Sequence, residues 1–113
     1  MKAIQITAFG GPDVMKYVDL ADPVAGTDEV VLDVTAVGIN YADTHQTENS
    51  YLSPQTLPMI PGIEVVGTHA GKRYLASVSS GGYAQKAIAH TSVLFPIPDA
   101  VTDEQALCML VQG

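Results

Sequence analysis

Hydrophobic and polar positions along this chain alternate over short runs and are cut repeatedly by glycine and proline. "KAIQIT" predicts a first strand, closed by the turn residues Gly10, Gly11 and Pro12. "MKYVDL" predicts a second, followed by the polar link "ADPVAGTDE". In "VVLDVTAVGI" strict alternation places Leu32, Val34 and Ala36 on one face and Val31, Asp33, Thr35 and Val37 on the other. After Asn40 the period changes, and Asn40 is a good N-cap for a short helix or turn. The proline-bounded "QTLPMIPG" leads into a strand over "IEVVGTHAG". "RYLASV", "GYAQKAIA" and "SVLFPIP" give three more strand candidates. "TDEQALCMLVQG" predicts a terminal helix, with Thr102 as cap and Gln105 as its reciprocal partner. Six or so strands with tight turns and little helix predict a small, mainly β, partly open barrel.

Composition narrows the functions open to such a barrel. The chain has 113 residues, enough for one domain, and 47% are apolar, so it can bury a core. Twelve acids against five scattered bases leave a net charge of −7, a surface that repels phosphate. Nucleic acid and anionic membrane are therefore not expected as partners. A single cysteine, Cys108, excludes a disulfide framework or a cysteine-based zinc site. With no apolar run of the roughly 18 residues that a helical span needs and no secretory leader pattern, a cytoplasmic setting is expected.

Candidate chemistry is sparse. His45, His69 and His90 lack partners at metal-ligand spacing, so no metal site is expected. "GTHAGKR" has three residues between its glycines rather than four and Arg73 in place of Ser or Thr, so it is not a phosphate loop. Cys108 sits in "ALCMLV", where a thiol is expected to be packed in the core rather than to act as a nucleophile. "SSGG" at Ser79–Gly82 reads as a turn. What remains is a polar cluster, "GINYADTHQTENSY", followed by "PGIE". On spacing alone it is either a self-capped loop or a functional junction. Glu64 by itself is open to four readings: metal ligand, catalytic acid, buried ion-pair partner or solvent-facing strand residue.

"AVGINYADTHQTENSY" followed by "PGIEVVG", with "SGGYAQ" and "PDAVTDEQALCMLVQG" later, resembles the amino-terminal half of medium-chain dehydrogenases/reductases. The similarity is greatest to the zinc-independent quinone oxidoreductase (zeta-crystallin-like) branch. The matching residues are Gly38, Asn40, Asp43 and Tyr51, then Pro61, Gly62, Glu64 and Gly67. The resemblance implies a GroES-like barrel over residues 1–113 with a short helix after Asn40 and a C-terminal helix. A Rossmann domain carrying the cofactor would follow, so these residues alone are expected to be inactive. It further implies NADPH-dependent hydride transfer to a quinone or an α,β-unsaturated carbonyl. Asn40, Tyr51 and Asp43 are the implied catalytic residues; Asn40, Tyr41, Thr44 and Gln112 are the implied cofactor contacts. The zinc-dependent branch has cysteine at the position of Asn40 and histidine at that of Ile63, so no zinc is expected. Glu64 then resembles what is left of a glycine–histidine–glutamate zinc motif, expected to be partly buried and hydrogen-bonded rather than a proton donor.

The chain also departs from that branch. His45 stands where a second tyrosine is common, "TEN" (Thr47–Asn49) replaces Arg-Ser-Gly, and the stretch from Gly67 to Arg73 is short. The apolar residues Ala106, Leu107, Met109, Leu110 and Val111 lead to an expectation of self-association. Two other readings remain beside the reductase: a non-enzymatic GroES-like binding or scaffold module, and a relative of the zinc alcohol dehydrogenases.

Overall fold

The structure, a computed structural model, describes residues 1–39 and 57–108. Seven strands form its framework. β1 (Lys2–Gln5) and β2 (Lys16–Asp19) form an antiparallel pair in which Lys2 faces Asp19. β3 (Glu29–Val37), β4 (Glu64–His69), β5 (Lys72–Ser77), β6 (Lys86–His90) and β7 (Leu94–Pro96) form an antiparallel sheet in the order β6-β3-β4-β5-β7. A single α-helix among the described residues, α1 (Asp103–Leu107), closes the series. The architecture is the mainly β half-barrel that the residue pattern predicted, and it is GroES-like, as the resemblance implied.

Residues 83–85 join the two sheets. The amide of Ile4 donates to the carbonyl of Tyr83 (2.8 Å), that of Gln85 to Lys2 (3.0 Å), and that of Val34 to Gln85 (2.8 Å). β4 and β5 meet through a two-residue turn, with His69 opposite Lys72 and Ala70 and Gly71 at φ +52° and +79°. Positive φ at both central positions suits the right-handed twist of a hairpin. The glycines of "GTHAGKR" thus belong to a strand and a hairpin.

The strict alternation read along β3 is wrong beyond Val34. Val34 pairs with Gly67 but Ala36 pairs with Val66, so Thr35 is an extra residue in a β-bulge. The bulge changes which face the later residues occupy. Val30, Val34 and Val37 pack against the core of Leu32, Val65, Ala76 and Ala89. Ala36 instead joins a second core, made of Val66, Leu75, Ile97 and Ala106. Adjacent pairs, Val65/Val66 and Leu75/Ala76, divide between the two cores. A strand buried on both faces reads as a continuous apolar run, which is why "IEVVG" shows no alternation.

The terminal helix is capped as expected. The Thr102 amide donates to Gln105 Oε1 (2.9 Å), and the Gln105 amide donates to Thr102 Oγ1 (3.1 Å). One expectation fails here. Cys108 is exposed at the helix C-cap instead of lying in the core, because the buried face of this short helix passes through Ala106. Of the five apolar residues behind the self-association expectation, Ala106 is already buried and Leu107 half-buried against the barrel. Met109, Leu110 and Val111 lie outside the described residues, as does the short helix expected after Asn40.

Candidate active site

Three stretches far apart in sequence meet at the head of β4. The amides of Gly81, Gly82 and Tyr83 donate to the carbonyls of Ile60 (2.6 Å), Gly62 (3.1 Å) and Pro61 (2.9 Å). Val78 donates to Ile63 (2.8 Å), and Gly38 donates to the carbonyl of Glu64 (3.0 Å). "PGIE", "SGGY" and the end of "AVG" are therefore one junction. Two glycines let the backbones touch. A Cβ on Gly82 would stand 3.0 Å from the carbonyl carbon of Gly62. Gly62 itself has φ +104°. Ile39 leaves this junction 81% exposed and leads directly into Asn40.

Glu64 lies inside the junction, only 2% exposed. It is buried more deeply than the resemblance implied, and it has an interaction partner, as a carboxylate at this depth requires. Burial excludes the solvent-facing reading. Glu64→Gln keeps the size and removes the charge; we expect it to cost about 1–3 kcal/mol, read as a lower thermal midpoint. An unchanged midpoint would remove the structural role from Glu64.

The implied site residues Asn40, Tyr41, Asp43, Thr44, Tyr51 and Gln112 all lie outside the described residues, and so does His45. What the structure does bring together is the framework flanking them: Gly38 and Ile39 before Asn40, and Pro61 to Glu64 after Tyr51. Ile63 is half-buried, with its carbonyl held by Val78 and a hydrocarbon side chain that cannot ligate a metal. Among the described residues, no three His, Cys, Asp or Glu side chains gather as a metal-binding set. The described residues do not form a dinucleotide site either. Gly67 is within β4, Gly71 is in the hairpin, and Gly62 and Gly82 face each other. The guanidinium of Arg73 is taken up by Asp103.

Beside the junction, an open groove of about 300 Å³ runs between β1, β2 and the second half of β3. Lys2, Ile4, Tyr17, Val37, Tyr83 and Gln85 are among its lining residues. Lys2 lies 5.9 Å from the centre of the Tyr17 ring and bonds to Asp19, so its charge is partnered.

Sequence reasoning missed a polar cluster on the other side of the sheet. Arg73 Nη2 donates to Asp103 Oδ1 (2.7 Å) and to the Val101 carbonyl (2.8 Å), while Nε donates to Asp103 Oδ1 (3.2 Å). Thr35 Oγ1 donates to Asp103 Oδ2 (3.0 Å) and lies 3.3 Å from the Val66 carbonyl. The Arg73 guanidinium, with help from Thr35, holds the Asp103 carboxyl below its usual value, against the opposing effect of burial. A depressed carboxyl stabilises the fold above the ordinary aspartate range, and this contribution disappears as pH falls through the lowered value. No periodicity signals this cluster, because its members come from β3, β5 and the head of α1.

A family model of the alcohol dehydrogenase GroES-like domain matches residues 26–71. The fold and the junction thus define a GroES-like domain of the alcohol dehydrogenase type. Human quinone oxidoreductase is 33% identical over 118 aligned positions, which cover 93% of this chain and 36% of that protein. The crystal structure of quinone oxidoreductase from Thermus thermophilus, also studied with NADPH, superposes with a TM-score of 0.91 at 41% identity. That match covers 98% of this chain and 37% of the other. The Escherichia coli quinone oxidoreductase complexed with NADPH superposes with a TM-score of 0.84 at 28% identity, covering 96% of this chain and 37% of the other. The chain belongs to the medium-chain dehydrogenase/reductase superfamily, in its quinone oxidoreductase branch, and corresponds to the amino-terminal GroES-like domain. It spans little more than a third of the length of these relatives.

Proposed function

We propose that this domain forms the acceptor-side wall of an NADPH-dependent, zinc-independent reductase of quinones or enones, working in the cytoplasm. The observation that carries the reading is the convergence of Gly38, Pro61–Glu64 and Gly81–Tyr83 into one rigid junction. The described residues that flank Asn40, Asp43 and Tyr51 in sequence, Gly38 on one side and Ile60–Glu64 on the other, meet in this junction. Asn40, Tyr41, Thr44 and Gln112 are the residues proposed to touch the cofactor, whose phosphates are held by the remainder of the protein. The relatives' complexes with NADPH support that cofactor.

Metal-free chemistry is supported by the donor set, with an amide at Asn40 and a hydrocarbon at Ile63 in the positions of two zinc ligands. Negative charge developing on the acceptor oxygen then requires hydrogen-bond donors, for which Asn40 and Tyr51 are suited. Conjugated acceptors spread that charge and demand less of those donors. The reading is tested by following NADPH absorbance at 340 nm with 1,4-benzoquinone, using a protein that joins this chain to a nicotinamide-binding domain. Turnover that survives chelation supports the proposal. Turnover abolished by chelation and restored by zinc, or none with any quinone or enone, would refute it.

A further inference from the structure

We infer that Val101–Cys108 is a strap docked across β3, β4 and β5 on the face opposite the Leu32 core, able to detach as a unit while the barrel stays folded. The inference does not depend on the reductase reading. A five-residue helix cannot sustain itself, since nucleation costs more than so few bonds return. Its stability must come from docking. Among the described residues, the docked surface is small: Ala106 is 1% exposed, while Val101 and Leu107 are only half-buried. The cluster at the head of α1 supplies the rest. Arg73 from β5 and Thr35 from β3 both hold Asp103, and Arg73 also holds the carbonyl of Val101.

The other core explains why the barrel should survive detachment. Leu32, Val65, Ala76 and Ala89 pack on the opposite face of the sheet, and neither they nor the residues packed around them include any part of the strap. The ladder between β4 and β5, six residue pairs from Glu64–Ser77 to His69–Lys72, is likewise closed without it. Detachment would uncover Leu75 and its partner Val66, which lies two residues along β4 from the buried Glu64. The strap can therefore open as a local unit of low stability.

Amide hydrogen exchange by NMR on the 113-residue chain tests this directly. Asp103→Asn should accelerate exchange at Ala106 and Cys108, whose amides bond to Thr102 (3.0 Å) and Gln105 (3.3 Å), by about tenfold or more. Exchange at Val66 and Leu75 should stay within about twofold. Arg73→Met should give the same pattern. The double variant should add less than the sum of the two, because both changes weaken the shared Arg73–Asp103 contact. Equal acceleration in β4 and β5, no acceleration in α1, or an unfolded Asp103→Asn protein would each overturn the inference.

Discussion

Gly62→Ala is expected to lower the stability of the domain by about 3 kcal/mol or more, read from urea unfolding. Two effects act together. At φ +104° a Cβ is strained whatever the space around it, and here it would also stand 2.7 Å from Cδ1 of Tyr83 and 3.0 Å from Cα of Gly82. The ring could shift; the backbone cannot, because Gly81, Gly82 and Tyr83 are bonded to the segment Ile60–Gly62. Gly71→Ala is the control. It shares positive φ, at +79°, but a Cβ there meets nothing within 4 Å. Its cost should be limited to the backbone term, about 1–2 kcal/mol. Equal losses for the two variants would mean that the close crossing at the head of β4 does not restrain the junction.

Tyr51→Phe is expected to lower kcat for quinone reduction by about a hundredfold in a protein that includes the nicotinamide-binding domain. The change leaves the ring and removes one hydroxyl donor. With the hydrocarbon of Ile63 and the amide of Asn40 at the positions of zinc ligands, no Lewis acid would share the work, and loss of a donor falls directly on the transition state. KM should change far less than kcat, since a quinone carbonyl in the ground state carries little charge to stabilise. A fall in kcat of less than about threefold would remove Tyr51 from the chemistry.

Much of the barrel was legible because its signals are local. The turn at Gly10–Pro12 and the Thr102/Gln105 cap each depend on residues within a few positions of one another. The bulge at Thr35 was not legible, since "VTAV" is an acceptable alternating strand and the irregularity exists only relative to β4. Cys108 was misplaced for a related reason. An apolar neighbourhood in sequence does not say which face of a short helix meets the barrel, and that choice is made by Ala106 and the Asp103 anchor. For the site, residue identity indicated the family, but not that "PGIE" and "SGGY" are hydrogen-bonded neighbours.

The unpaired residue in β3 has an effect on sequence change that reaches beyond its own position. It reverses the parity of the strand, so odd and even positions exchange roles between the segment before Thr35 and the segment after it. Removing Thr35 would leave Val34, Ala36 and Val37 as consecutive paired positions, with Val37 still on the first core and Ala36 still on the second. A deletion of Thr35 should accordingly be better tolerated than a deletion within the continuously paired run Glu29–Asp33.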